Sequence, residues 1–162
     1  MKILSIGTFT GKGESNTCLH RTWALEKLGH VTRIDSTLQH HKLWYRIVNR
    51  LFVRYHLPVH FNNSLLNRNI IEAIDNNKYD IVWIDKGVFI EAGTLKYIKC
   101  KQPQCKIVGY SPDNMAERHN QSQLFLESLP YYDFYITTKS YTLQTLKEMG
   151  CKNVFFVNRE CR

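Results

Sequence analysis

Polar residues able to do chemistry fall in five short clusters, each just after an apolar run: Thr8 to Ser15, Asp35, Asp85-Lys86, Ser111 to Asn114, and Thr138-Lys139. A carboxylate beside a hydroxyl takes its proton during group transfer, and a lysine or a helix N-terminus steadies a leaving phosphate. Asp35 lies about 20 residues beyond a glycine turn, where an acid holds a ribose hydroxyl in dinucleotide sites. That turn, however, is Gly7-Thr-Phe-Thr-Gly11-Lys-Gly13, a G-x-x-x-G-x-G spacing rather than G-x-G-x-x-G. No Gly-Lys-Ser/Thr closes it as a P-loop would.

Metal and thiol chemistry find less support. His40 and His41 are adjacent, so their side chains diverge on a helix, and Pro58 stands between His56 and His60. Cys18, Cys100, Cys105, Cys151 and Cys161 are five, with no C-x-x-C pair, which fits reduced thiols better than a disulfide framework or a zinc site. No spacing nominates a base for a cysteine nucleophile. Neither a metal nor a cofactor is expected.

The elements that would position the clusters alternate. Strands are expected over residues 2–6, 31–35, 79–84, 105–110, 134–137 and 153–157, from short runs rich in branched and aromatic residues. Between the first two runs a helix is expected, with Ser15 as N-cap, Gly29 as C-cap and a buried stripe of Leu19, Trp23, Leu25 and Leu28. Further helices are expected over 41–56, from Leu66 to Asn77, and over 92–101, 119–128 and 141–149. Such alternation in 162 residues with 43% hydrophobic content predicts one α/β domain. Its Rossmann-like sheet is open, mostly parallel and six-stranded, with helices on both faces. Right-handed crossovers then bring all five clusters to the carboxyl ends of the strands, where such sheets bind ligands.

The formal charge of +8 is unevenly placed: no acid occurs from Ser36 to Ile71. On a helical wheel the stretch 41–56 is amphipathic, with Lys42, Arg46, Arg50 and Arg54 beside an apolar half containing Trp44 and Phe52. Those six residues suit an anionic membrane surface, where aromatics enter the headgroup zone and arginines hold phosphates. A core-packed helix with a basic outer face is the other reading. No nucleic-acid-binding motif accompanies the run, so no nucleic-acid partner is expected. Nor does any stretch approach the roughly 20 apolar residues of a spanning helix, so the chain reads as cytoplasmic, with a peripheral place on the inner face of the plasma membrane.

Four stretches carry a resemblance: ALEKLGHVTRID (24–35), YDIVWIDKG (79–87), IVGYSPDN (107–114) and YYDFYITTKSYTLQTLKEMGCKNVFFV (131–157). Together they resemble the N-terminal half of bacterial GT-B glycosyltransferases, of the spore-maturation (CgeB-like) type and the related family 4 and family 1 enzymes of surface-polysaccharide synthesis. The resemblance implies an acceptor-binding Rossmann-like domain over 1–157, a tail over 158–162, and no donor-binding domain in this chain. It implies no metal, a glycan or lipid-linked acceptor, and a chain that is a fragment, a truncated gene product, or one half of a two-chain enzyme with a separate donor-binding chain as partner. Alone, such a half would not turn over. Carried onto this sequence, it makes Glu14 and Asp113 the candidate catalytic groups. Thr8, Thr10, Lys12, Ser15, Asp85, Lys86, Asn114 and Lys139 become candidate acceptor contacts. Glu14 also suits a helix N-terminus for its charge alone, and His20 reads as a helix-side residue. A stand-alone binding or scaffold module, and a nicotinamide-dinucleotide-binding protein, are the alternative functions.

Overall fold

The computed structural model describes residues 1–10, 16–37 and 42–158, and the backbone alone of Lys42. Lys12, Glu14, Ser15, His40, His41 and Cys161 lie outside the described residues. Among the described residues six strands and six α-helices follow one another: β1 (Lys2–Gly7), α1 (Thr17–Glu26), β2 (His30–Asp35), α2 (Lys42–Tyr55), α3 (Ser64–Asn76), β3 (Ile81–Asp85), α4 (Ala92–Lys101), β4 (Lys106–Ser111), α5 (Gln123–Ser128), β5 (Phe134–Thr137), α6 (Leu143–Glu148) and β6 (Val154–Phe156). All strand pairs are parallel, in the order β2-β1-β3-β4-β5-β6. The fold is thus an open Rossmann-like α/β sheet, parallel throughout.

The direction of each crossover decides which face its helix covers. From β2 to β6 the chain steps one way across the sheet, while β1 to β2 steps the other. With right-handed crossovers, α1 must therefore lie on one face and the remaining helices on the opposite one. Side chains agree. Leu4, Ile6, Val82, Ile84, Ile107 and Tyr135 form one core with Leu66, Ile70 and Ile74 of α3, Leu95 and Ile98 of α4, Phe125 of α5 and Leu146 of α6. On the other face Ser5 meets Thr22 of α1 through their hydroxyls at 3.3 Å. Beyond α1, Trp83, Tyr110, Phe134 and Ile136 are half-buried and Phe155 is exposed. Trp83 stacks on Tyr110 at 5.7 Å, and Phe134 meets Phe155 at 5.9 Å.

Some local expectations are corrected. The N-cap of α1 is Asn16, whose Oδ1 accepts from the Cys18 and Leu19 amides. The buried stripe of α1 is Cys18, Thr22 and Leu25, while Trp23 and Leu28 face solvent and Trp23 stacks on His20. A purely apolar stripe fails there because the strand beneath presents Ser5 and Gly7. The helix expected over 119–128 is a 3-10 turn, Arg118–Asn120, followed by α5.

Phe52 is the larger correction. Expected at a membrane surface, it is 1% exposed. Arg118 holds it there: its Nε donates to the Phe52 carbonyl at 2.7 Å, and its Cζ lies 3.9 Å over the ring. Val48 is buried beside it, and Tyr45 packs edge-on against Phe61 and Phe89 at 5.2 and 5.3 Å. The inward face of α2 is therefore core. Among the described residues no helix is long and apolar enough to cross a membrane.

Candidate functional site: the strand-end crevice

The sheet order reverses between β1 and β3, and at such a switch point the loops leaving adjacent strands part to opposite faces and open a crevice. A cavity of about 250 Å³ lies there. The turns after β1, β2 and β3 contribute Thr8, Ser36 and Asp85 to Ile90, and the 3-10 turn after β4 contributes His119, Asn120 and Gln121. Ile6, Ile84, Leu66 and Tyr45 close it from the core side.

The turn after β1 is tied to β2 rather than left open. Asp35 accepts from the Thr10 amide at 3.0 Å and the Thr37 amide at 2.7 Å, so both carboxylate oxygens serve the loops. Thr8 and Ser36 hydroxyls meet at 3.4 Å, and those of Thr10 and Thr37 at 2.5 Å. Asn16 Nδ2 donates to the Thr8 carbonyl at 3.0 Å. Gly7 is glycine for packing: a Cβ there would stand 2.4 Å from Cys18 Sγ and 3.2 Å from Asp85 Cβ.

Asp85 at the end of β3 is saturated. Arg21 Nε donates to its Oδ1 at 2.8 Å and Nη2 lies 2.5 Å from the same oxygen. Cys18 Sγ and Trp83 Nε1 donate to Oδ2 at 3.3 and 3.1 Å. Arg21 also stacks over Tyr110, 4.4 Å from its centroid. The Asp85 side chain is only 7% exposed. Burial pushes its carboxyl above the ordinary range, against the Arg21 guanidinium that pulls it down. The same burial, with the Asp85 charge beside it, pushes the Cys18 thiol up to about 12. A thiol so held is a poor nucleophile. The acid thus touches the cavity wall while its charge is spent under α1.

Lys86 is placed otherwise. It adopts the left-handed conformation with φ 64°, as does Gly87 with φ 71°. Its amide donates to the Tyr110 carbonyl at 2.8 Å, and its ammonium meets Asp113 Oδ2 at 2.7 Å in a pair more than a third exposed. A Cβ on Gly87 would stand 2.5 Å from Tyr132 Oη, so two constraints fix this residue type. The non-glycine strain at Lys86 is the sort that persists where surroundings over-determine a turn.

Of the expected contacts, Thr8, Asp85 and Lys86 line the cavity. Thr10 stands in the loop lattice beside it, and Asp113 reaches the rim through Lys86. Asn114 is turned into its own loop: its Oδ1 accepts from the Ala116 amide and its carbonyl from Asn120 Nδ2, at 3.1 and 3.0 Å. The Lys139 backbone holds the next turn, its carbonyl accepting from Thr142 Oγ1 at 2.7 Å. Sequence reasoning missed Ser36, Tyr45, Phe89, His119, Asn120 and Gln121. The available signal was His-Asn-Gln a few residues after Ser-Pro-Asp-Asn at a strand end. Among the described residues no group of three or more His, Cys, Asp or Glu side chains could hold a metal ion.

What the site can do follows from its lining. Hydroxyls, amides, one imidazole and one ammonium face a space walled by Tyr45 and Phe89, a mixture that suits an uncharged or mildly anionic polyhydroxyl ligand. Compared with models of known protein families and with curated protein sequences, the chain matches none.

Proposed function

We propose that the chain is the acceptor-binding half of a glycosyltransferase of the GT-B type, taking a glycan or lipid-linked acceptor in surface-polysaccharide synthesis in the cytoplasm. The observation that carries this reading is the lining of the switch-point cavity: Thr8, Ser36, Lys86 and His119 bring hydroxyl, ammonium and imidazole groups for sugar hydroxyls, Asn120 and Gln121 line the wall with their amide nitrogens held by the Asn114 and Met115 carbonyls, and Tyr45 and Phe89 supply aromatic walls. The departure from the dinucleotide glycine spacing, with Asp35 already spent on two amides, speaks against a nicotinamide ligand. The acceptor hydroxyl loses its proton to a base on this half. Asp113, Glu14 and His119 are the groups proposed for that role, and Lys12, Ser15, Thr10 and Lys139 are proposed to flank the acceptor.

The donor nucleotide-sugar would sit on a separate donor-binding chain or domain. The test is ligand-observed NMR on this chain with saccharides, their phosphates, nucleotide-sugars and NAD. Saccharide binding that weakens at least about tenfold in His119→Ala supports the reading. Binding of NAD or nucleotide-sugar alone contradicts it. A second reading, a module that holds a partner chain, is favoured by the sheet face beyond α1, where Trp83, Phe134 and Ile136 are half-buried and Phe155 is exposed.

A further inference from the structure

With its inward face fixed in the core, α2 presents an outward face that needs its own account. At 100° per residue Arg46, Arg50, Leu43, Arg54 and Ile47 span about 100° of the helix surface on the side opposite Phe52. Leu43 is 71% exposed, Ile47 44% and Arg46, Arg50 and Arg54 are all exposed. Trp44, 58% exposed, lies on the flank, and Leu57 beyond the helix end is 43% exposed. A face meant only for water does not carry Leu43 between arginines with Ile47 at its edge and Trp44 on its flank, and singly scattered apolar residues would not gather on one helix side.

Charge decides what covers it. No acid occurs from Ser36 to Ile71, and the flanking acids Glu72 and Glu127 are engaged by Arg68 at 3.7 Å and His60 at 2.8 Å. An acidic protein surface would match the arginines but not the intervening apolar side chains. A bilayer with anionic headgroups matches both, apolar groups entering the acyl boundary while guanidinium groups take phosphates.

We infer that the outward face of α2 docks the protein on an anionic lipid surface, with Leu43, Trp44 and Ile47 inserted and Arg46, Arg50 and Arg54 on lipid phosphates. Docking does not depend on the glycan reading, because no residue of this face lines the cavity. Tyr45 does line it, from the opposite side of the same helix. The cavity therefore stands about one helix diameter, ~10 Å, behind the docked face.

The test is co-sedimentation of the full chain with phosphatidylcholine vesicles and with phosphatidylcholine vesicles containing phosphatidylglycerol. Recovery with the anionic vesicles only, lost at about 0.5 M salt, is expected. Replacing Arg46, Arg50 and Arg54 together by Ser should weaken partitioning on the order of 100-fold. Replacing Leu43, Trp44 and Ile47 by Ser should weaken it about tenfold or more. All six side chains are exposed, so both variants keep the parent circular-dichroism spectrum and melting temperature. Equal recovery with neutral and anionic vesicles overturns the proposal. So does unchanged binding of either folded variant, the apolar one in particular, since that would leave only unspecific attraction of a basic protein.

Discussion

Asp85 and Lys86 are adjacent in sequence and leave the same strand, yet they have opposite fates. Asp85 turns under α1, where Arg21, Cys18 and Trp83 take every direction in which its carboxylate could bind a ligand. Lys86 turns to the β4 loop, holds one exposed partner and faces an open cavity. Both are charged residues at the carboxyl end of a central strand. Burial and the number of partners separate a structural charge from one still available to a ligand.

Breaking the Asp85 cluster has the largest expected effect. Arg21→Ala or Asp85→Ala leaves a buried charge unpaired and should cost about 3–5 kcal/mol, read as a fall in denaturant midpoint. Replacing both with apolar residues, Arg21→Met with Asp85→Leu, should cost much less than the sum. An additive result would mean the pair is not coupled. Gly7→Ala, which drives a methyl into Cys18 Sγ, should cost about 1–3 kcal/mol by thermal melting.

The open side responds differently. Lys86→Ala should change stability by less than about 1 kcal/mol, because an exposed ion pair contributes little. Lys86→Gly should raise stability by up to about 1 kcal/mol by releasing the left-handed strain, and both substitutions should weaken saccharide binding. A stability loss as large as that of Asp85→Ala would erase the distinction between the two residues. The smallest effect is in titration. The Asp85 carboxyl is raised in the folded chain, so the folded state holds that proton more tightly than the unfolded state. Its contribution to stability is full below the ordinary value of 3.8 and is lost as pH rises through the folded value. Asp85→Asn should flatten stability against pH in that acid window. Cys18, pushed up to about 12, should resist alkylation at neutral pH while exposed Cys100 labels, as peptide mapping by mass spectrometry would show.

The sheet was legible because short apolar runs separated by polar turns carry the strand signal locally: β5 and α4 fall where their sequences put them. The uneven helix layering was not legible. It depends on strand order, which no local pattern contains. The site divided along the same line. Thr8 and Lys86 were readable as polar residues at strand ends, whereas Tyr45 and His119 reach the cavity only because α2 and the β4 loop cross to the switch point. Phe52 misled because the wheel shows one broad apolar face, and only packing against Arg118 reveals that part of it is core. At α1 the hydroxyl pair of Ser5 and Thr22 takes the place of an apolar contact, so hydrophobic periodicity pointed to Trp23 instead.

The central claim is that the Lys86 side of the strand ends binds a polyhydroxyl ligand and the Asp85 side does not. Amide-resolved NMR titration with a panel of saccharides and saccharide phosphates tests it most directly. The account predicts shifts at Thr8, Ser36, Lys86 and His119 to Gln121, with Cys18, Arg21 and Thr22 unmoved. Shifts centred on Cys18 and Arg21, or none at saturating saccharide, would contradict it.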